Sequence, residues 1–335
     1  MSAPLRLRLD GGALVANWRW LTAQGGAAAC GAAVKANGYG LGARRVVALL
    51  AAAGCRDFFV SSWDEAAALV PMPEGCALSV LHGVREADMP AALASAARPV
   101  LNTSEQVARW RPTGRPCDVM IDTGMNRLGL AAGDDVAGLT IETLMSHLAC
   151  ADEDSAMNDR QRAAFAALEV PARRRSLANS AGVCLGAGYA FDLTRPGLAL
   201  YGGVPRAEAE GRIAQVAWPE AAIVQRRCVR AGASVGYGAS WVAPADTEIA
   251  VLNIGYADGI LRSFSKTGTA GEGRFRFAGR VSMDLIAIDV SAEPGLREGD
   301  WVAIDYALPE AARRSGLSQY ELLTGLGGRF ERAML

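Results

Sequence analysis

The chain has 335 residues, of which 51% are hydrophobic and 21% charged, and its formal net charge is −1. This length and composition allow two domains, or one large barrel with a small domain. The near-zero net charge argues against a nucleic-acid groove and against a surface for anionic membranes, because both need an excess of basic residues.

Seven cysteines are present, and no two of them have the CxxC spacing. We therefore expect no disulfide framework and no metal site, but small buried thiols in a reducing compartment. The first residues, MSAPLRLRLD, lack the long apolar stretch of a signal peptide, and no run of about 18 apolar residues occurs anywhere. We expect a soluble cytoplasmic protein.

From about residue 30 to 200, a short apolar run is repeatedly followed by a turn and an alanine-rich helical segment. Such alternation predicts parallel strands with right-handed crossovers, that is, the α/β class. Eight repeats favour a closed (β/α)8 TIM-type barrel, which we assign to residues 11–210. The predicted strands are 31–35, 58–62, 77–81, 98–102, 118–122, 143–148, 175–180 and 198–202.

The sequence pattern changes after about residue 210, where alanine-rich helical segments become rare and glycine turns separate β-forming runs. We predict a mainly β domain over residues 211–335. The strictly alternating LRLRLD in residues 1–10 predicts a strand that joins this domain. The predicted β segments are 220–231, 247–257, 274–290 and 300–306.

Polar residues collect where the predicted barrel strands end, which is the face that carries the chemistry in barrel enzymes. Taken singly, each has an ordinary structural explanation: a surface lysine, a core histidine, or an Asn-Ser helix cap. Their convergence on one face favours a functional site. They are Lys35, Asp122 with Arg127 in the following loop, His147, Asn179, Ser180 and Arg195.

A buried amine with a lowered pKa can form a Schiff base with an aldehyde, of which pyridoxal phosphate is the commonest in proteins. Its phosphate requires hydroxyl groups, backbone N–H groups or a helix N-terminus. Tyr39, Ser180 and the turn at Gly197 can supply these groups, and Arg195 is a candidate partner for the pyridine nitrogen.

Several motifs together resemble the alanine racemases, the fold type III pyridoxal phosphate enzymes with a barrel and a C-terminal β domain. The resemblance runs from about residue 5 to 330. The motifs, in chain order, are AVKANGYG, IDTGMNRLG, SHLACADE, LANSAG, LTRPGLALYG, GYGASW, IGYADG and GRVSMD.

The resemblance implies a role for each matching residue. Lys35 would hold pyridoxal 5'-phosphate as an internal aldimine and act as the base on the D side of the substrate. Tyr237 would be the base on the L side, supplied by the partner subunit of a homodimer. The other implied cofactor contacts are Tyr39, His147, Asn179, Ser180, Arg195, Gly197 and Leu198, and the implied substrate contacts are Arg127, Met283, Tyr256 and Asp284.

The implied reaction interconverts L-alanine and D-alanine through an external aldimine, with Lys35 and Tyr237 on opposite faces, and supplies D-alanine for peptidoglycan. The resemblance also implies that His147 hydrogen-bonds Arg195. An arginine at the ring nitrogen leaves that nitrogen largely unprotonated, which favours rapid return of the proton to Cα over transamination.

Three positions depart from the commonest family pattern. Met120 stands where many members have a lysine that becomes carbamylated and orients the arginine corresponding to Arg127. Leu41 replaces a histidine, and Gly327 or Gly328 stands where some members have a tyrosine beside the substrate channel. What orients Arg127 is therefore open, and we expect a wider channel.

Three alternatives remain open at this level. A racemase of the same family with serine or broader specificity fits the departures. A non-catalytic cofactor-binding barrel protein would lack the β domain that carries Tyr237. A decarboxylase of the same fold tends to place an acidic residue where this chain has Arg195.

Overall fold

The computed structural model describes residues 4–334, with side chains described for residues 4–333. The chain divides into two compact units. One spans Ala13–Ala214, and the other combines the residues up to Gly12 with those from Gln215 onward. We describe them in turn as the barrel unit and the β unit.

The barrel unit is built around parallel strands, seven of which form one sheet in chain order. The first barrel strand is interrupted at Gly31, where an added Cβ would lie 2.8 Å from the carbonyl oxygen of Asp57. The eight barrel strands, first to eighth, are Ala29–Cys30 with Ala32–Ala33, Asp57–Val60, Ala77–Val80, Arg98–Leu101, Cys117–Met120, Ile141–Met145, Arg174–Ser176 and Leu193–Thr194.

The eighth strand closes the ring. It pairs in parallel with Ala29–Cys30, the first part of the first strand. On its other side, the Asp192 N–H donates to the Arg175 carbonyl at 3.0 Å and the Arg195 N–H donates to the Ala178 carbonyl at 2.8 Å. The predicted fold class, a (β/α)8 barrel followed by a strand-rich domain, is confirmed.

The predicted eighth strand at 198–202 is wrong. Leu198–Tyr201 is a short 3₁₀ helix, and the eighth strand lies just before it at Leu193–Thr194. All four residues of the 3₁₀ helix are buried. A short apolar run of this kind has no periodicity that distinguishes a buried strand from a buried helix.

Side chains inside the barrel form layers along the strands. In one layer, buried Asp118 accepts hydrogen bonds from the Ser79 hydroxyl at 2.6 Å and from Arg98 at 3.3 Å. Two residues further along the same strand, Met120 packs in an apolar layer. This cluster contains Phe59, Val100, Met120, Met145 and Leu193. The polar residues predicted at the strand ends follow this layer.

Helices lie between the barrel strands. The predicted helix at 43–54 is observed as Ala43–Ala53, with Val46, Val47 and Leu50 on its buried face. The α-helices are Gly11–Gln24, Ala43–Ala53, Trp63–Ala67, Met89–Ala94, Ser104–Trp110, Ala156–Ala166 and Ser180–Cys184, with a left-handed turn at Lys35–Tyr39. Among the described residues, no helix has both the length and the apolar composition needed to cross a bilayer.

The β unit is centred on a six-stranded sheet. Its long strand Ala217–Val229 pairs antiparallel with Leu5–Leu9 and, after a register shift between Ile223 and Gln225, with Thr247–Leu252. Leu5–Leu9 also pairs in parallel with Glu331–Met334. The remaining elements are strands Ile286–Asp289 and Trp301–Ala303, hairpins Ser234–Val235 with Trp241–Val242 and Thr269–Ala270 with Phe275–Arg276, and helices Leu308–Ser315 and Gln319–Thr324.

The predicted β segment at 274–290 is broken into two short strands, Phe275–Arg276 and Ile286–Asp289. The residues between them form a loop. Met283 and Asp284 therefore lie on a loop rather than within a strand.

Candidate active site

Lys35 directly follows the first barrel strand and begins a turn of unusual conformation. Ala36, Asn37 and Tyr39 have φ values of 51°, 53° and 54°, and Gly38 has 64°. The left-handed helical conformation costs roughly 1–2 kcal/mol for each residue that carries a Cβ. Such strain persists only where surrounding contacts enforce it, and it concentrates at functional sites.

Glu65 is one of these contacts, and sequence reasoning missed it. Its carboxylate accepts hydrogen bonds from the Ala36 N–H and the Ser61 N–H, both at 2.7 Å. At the other end of the turn, the Asn37 side chain accepts from the Ala43 N–H at 3.0 Å. The turn is thus tied both to the end of the second strand and to the next helix.

The Lys35 amine is partly buried, and this burial lowers its pKa. The positive charge of Arg127 lowers the pKa further, whereas the negative charge of Glu65 opposes the shift. A larger share of the amine is therefore unprotonated near neutral pH than in an exposed lysine. An unprotonated amine can attack a carbonyl carbon.

Tyr39, Ser180 and the backbone at Gly197 come together beside this turn. The Ser180 hydroxyl is buried and accepts hydrogen bonds from the Gly197 N–H at 2.9 Å and the Ala199 N–H at 3.2 Å. A Cβ added at Gly197 would lie 2.2 Å from the Tyr39 hydroxyl, so only glycine allows this close approach. Two hydroxyl groups and backbone N–H groups thus lie close together, and these are the kinds of group that bind a phosphate.

Neighbouring contacts hold this cluster in place. The Tyr39 ring stacks on Tyr201 with centroids 4.7 Å apart, and the Tyr201 hydroxyl donates to the Ala33 carbonyl at 2.8 Å. Asn179 caps the helix Ser180–Cys184 by accepting from the Gly182 N–H at 2.8 Å. Leu198 is buried and begins the 3₁₀ helix after Gly197.

Arg195 is a buried guanidinium that follows the eighth strand. It donates to the Ser176 hydroxyl, and to the Ser146 carbonyl at 2.6 Å. Burial lowers its pKa to about 10, and the charge of Asp118 opposes that shift. The side chain therefore stays positively charged at neutral pH although no carboxylate among the described residues pairs with it.

His147 is joined to this group by electrostatics. Its pKa falls to about 3 because of burial and the charges of Arg195, Arg127 and Lys35. The ring is therefore neutral at physiological pH. The expected hydrogen bond between the His147 ring and Arg195 stays a prediction: among the described residues, one terminal nitrogen of Arg195 donates to Ser176 and the other to Ser146.

Arg127 is exposed and lies in the loop that follows the fifth strand. Its charge acts on both Lys35 and His147. Met120, at the position of the family's carbamylated lysine, is only 7% exposed and belongs to the apolar barrel layer. No polar side chain therefore reaches toward Arg127 from that position.

The remaining predicted site residues lie in the β unit. Tyr237 begins a 3₁₀ turn inside the hairpin Ser234–Val235 with Trp241–Val242 and is 69% exposed. The Tyr256 N–H donates to the Ser282 carbonyl at 3.0 Å, and the Ala257 N–H donates to the Met283 carbonyl at 3.1 Å. Tyr256 and Met283 are thus on two loops that pack against each other.

Arg329 joins these two loops, and sequence reasoning missed it as well. Its guanidinium forms two hydrogen bonds with buried Asp258, each at 2.7 Å, and one with Asp284 at 2.7 Å. Gly255 is needed at the same junction, because a Cβ there would lie 2.3 Å from the Met283 carbonyl oxygen. The backbone at Met283 is therefore held firmly.

The strand ends of this barrel carry an amine, two guanidinium groups and a cluster of hydroxyl and backbone N–H groups, and the chain also carries a β unit. These features define a barrel enzyme that uses a lysine amine. The signature of the family described as "Alanine racemase, N-terminal domain" matches residues 9–205, and that of "Alanine racemase, C-terminal domain" matches residues 216–334. The chain belongs to the alanine racemase family, as the motifs predict.

Similar proteins are found among curated sequences and solved structures. An alanine racemase of Methylobacterium nodulans is 42% identical, over 98% of this chain and 95% of its own length. A catabolic alanine racemase of Mesorhizobium japonicum is 41% identical, over 97% and 92%. The crystal structure of alanine racemase from Bartonella henselae with covalently bound pyridoxal phosphate aligns over 100% of both chains, with a TM-score of 0.91 and 33% identity.

Proposed function

We propose that this protein is a pyridoxal phosphate-dependent alanine racemase that interconverts L-alanine and D-alanine. The observation that carries the proposal is Lys35, a partly buried amine whose pKa is lowered, beside a cluster that fits a phosphate. The relative from Bartonella henselae, which carries the cofactor covalently, supports the same assignment.

Each part of the cofactor would have its own contacts. Lys35 Nζ would bind the aldehyde carbon, and the hydroxyl groups of Tyr39 and Ser180 with the N–H groups at Gly197 and Leu198 would bind the phosphate. Asn179 holds the helix that begins with Ser180. Arg195, aided by the neutral His147, would face the pyridine nitrogen. When bound, pyridoxal phosphate withdraws electrons from the substrate Cα and so acidifies its proton.

Two bases would move that proton on opposite faces of the substrate. Lys35 Nζ would take or return it on the D side, and the Tyr237 hydroxyl on the L side. The exposure of Tyr237, which is 69%, leaves its hydroxyl free to enter the site of another chain. We therefore propose a homodimer in which each subunit supplies Tyr237 to its partner.

Arg127 and the backbone N–H of Met283 would hold the substrate carboxylate. Tyr256 and Asp284 would line the approach, fixed by Arg329. This arrangement orients the Cα–H bond between the two bases, and correct orientation accounts for a large share of the rate in such reactions.

Lys35→Ala tests the central assignment, and Lys266→Ala is a matched control because the chain has only these two lysines. We expect the purified wild type and Lys266→Ala to show the visible absorption band of lysine-bound cofactor and to carry one borohydride-trapped label. Lys35→Ala should lose both. Persistence of the band and the label in Lys35→Ala would contradict the assignment of Lys35 as the lysine that binds the cofactor.

The reaction itself is followed with L-alanine in heavy water. Deuterium should enter Cα as D-alanine appears, whereas loss of CO₂ would indicate a decarboxylase.

We also propose that the enzyme supplies D-alanine for peptidoglycan and works in the cytoplasm, where the seven cysteines, all free in the structure, would stay reduced. A strain without the gene should then require D-alanine for growth.

The second candidate function is a broader specificity that includes serine. It is favoured by Gly328, where an added Cβ would meet no described atom within 4 Å. A screen of amino-acid substrates separates the two.

A further inference from the structure

Two buried amide side chains lie on one face of the helix Ala156–Ala166, and one of them reaches the strand ends of the active site. Gln161 is 1% exposed. Its amide nitrogen donates to the His147 carbonyl at 3.0 Å and to the Thr123 hydroxyl at 3.3 Å. Its amide oxygen accepts from the Ala149 N–H at 2.9 Å. Both donor hydrogens and the acceptor of this side chain are therefore used.

The network continues beyond Gln161. The Thr123 hydroxyl lies 2.7 Å from the Ser146 hydroxyl, and the Ser146 carbonyl accepts from Arg195 at 2.6 Å. One set of hydrogen bonds thus connects the loop that carries Arg127, the strand end that carries His147, and the buried guanidinium.

Among the described residues, no other side chain on the helix Ala156–Ala166 hydrogen-bonds both to the loop that carries Arg127 and to the end of the sixth strand. Within the loop of residues 122–130, Asp122 accepts from the Gly124 and Met125 N–H groups at 2.8 and 2.9 Å, which shapes the loop but does not tie it to the sixth strand. The side-chain hydrogen bonds that link the loop to that strand and to the helix are those of Thr123. Met120 is packed in the apolar layer and contributes none.

We propose that Gln161 is a positioning residue that, through Thr123 and Ser146, holds the Arg127 loop against the sixth strand so that Arg127 meets the substrate carboxylate. This inference rests on the proposed function. It names what orients Arg127 in a chain that has methionine at position 120. A buried amide with every donor and acceptor satisfied holds its neighbours in one arrangement, because any displacement leaves a polar group unpaired.

The test replaces Gln161 by methionine, which has a similar shape and no amide. Asn158→Leu is the matched control: Asn158 is buried on the same helix, one turn earlier, and donates to the Cys150 and Glu153 carbonyls at 3.0 Å without touching Thr123. Thr123→Val removes the hydroxyl, and Thr123→Ser retains it. The readouts are propionate binding to the holoenzyme by calorimetry, and kcat and KM for L-alanine. Propionate has a carboxylate but no amino group, so its affinity reports the carboxylate site alone.

We expect Gln161→Met and Thr123→Val to weaken propionate binding and raise the KM about tenfold, with kcat changed about twofold or less. Asn158→Leu and Thr123→Ser should bind propionate like the wild type, even if Asn158→Leu lowers the melting temperature. Equal propionate affinity in Gln161→Met and Asn158→Leu overturns this inference alone. A wild type with no saturable propionate binding, or without the Lys35-dependent absorption band, overturns the proposed function and this inference with it.

Discussion

At the scale of single residues, burial and nearby positive charges lower the pKa values of Lys35 and His147. The positive charges of Lys35, Arg127 and Arg195 all act on His147, and that of Arg127 also acts on Lys35. Such an arrangement costs folding free energy, because a buried cation loses hydration and like charges repel. Its consequence is a lowered pKa for both the Lys35 amine and the His147 ring.

The pKa of His147 predicts how stability depends on pH. In the folded protein the pKa is about 3, whereas in the unfolded chain the ring titrates near 6.5. Between these values the unfolded state binds the extra proton, so the free energy of unfolding falls as the pH drops through this window. The contribution is on the order of 5 kcal/mol over the full window.

Urea unfolding of the cofactor-free protein between pH 7 and 4 measures this effect. We expect the free energy of unfolding of the wild type to fall more steeply with acid than that of His147→Gln, which cannot take up the proton. Parallel pH dependences in the two proteins would show that His147 does not contribute.

At the scale of elements, the left-handed turn after the first strand couples two functions. Lys35 stands at its beginning and Tyr39 at its end, so one short turn positions both the amine and a hydroxyl of the phosphate cluster. The carboxylate of Glu65 stabilises this strained backbone by accepting the Ala36 N–H. The residues with strained backbone thus lie in the same turn as the two proposed functional side chains.

Glu65→Gln removes the negative charge of this side chain and leaves only one of its two oxygen atoms as a hydrogen-bond acceptor. We expect the pKa of Lys35 to fall further, because the charge of Glu65 now raises it. We also expect a loss of stability of about 1–2 kcal/mol. The pH dependence of Lys35 modification by an amine-specific reagent in the cofactor-free protein measures the pKa, with Lys266 as internal reference. Asp64→Asn, one residue earlier, removes a charge but no contact with the turn.

A Lys35 profile that is the same in Glu65→Gln and in the wild type would contradict this role of Glu65. A shift of equal size in Asp64→Asn would show that the effect is general electrostatics rather than the hold on the turn.

At the scale of the whole molecule, the proposed bases belong to different units of the chain. Lys35 is in the barrel unit and Tyr237 in the β unit. In the proposed dimer, Lys35→Ala and Tyr237→Phe are each inactive, but a mixed dimer has one site with both bases intact. Random assembly from equal amounts should restore about a quarter of wild-type activity per active site.

Refolding the two inactive variants together, and each one alone, measures this recovery. No gain in the mixture, under conditions where subunits exchange, would show that each site is built from a single chain.

Much of the barrel follows from local sequence. Apolar runs of strand length and alanine-rich helical segments recur at short range, so their alternation predicts the parallel sheet. The residues after those strands, among them Lys35, His147 and Ser180, are identified as site candidates because parallel strands all end on one face. The prediction of the eighth strand at 198–202 is wrong because Leu198–Tyr201 is buried on all sides, so its sequence shows no alternation of polar and apolar residues.

The sequence by itself determined the barrel, the strand-rich second domain, the family and the identity of the candidate bases, because these depend on short motifs and local periodicity. Only the tertiary structure decided how Glu65, Gln161 and Arg329 act, and that the Arg195 donors turn to Ser176 and Ser146. Their partners lie far away in the chain or on other elements, and a polar side chain reveals its hydrogen bonds only when the backbone has brought donor and acceptor together.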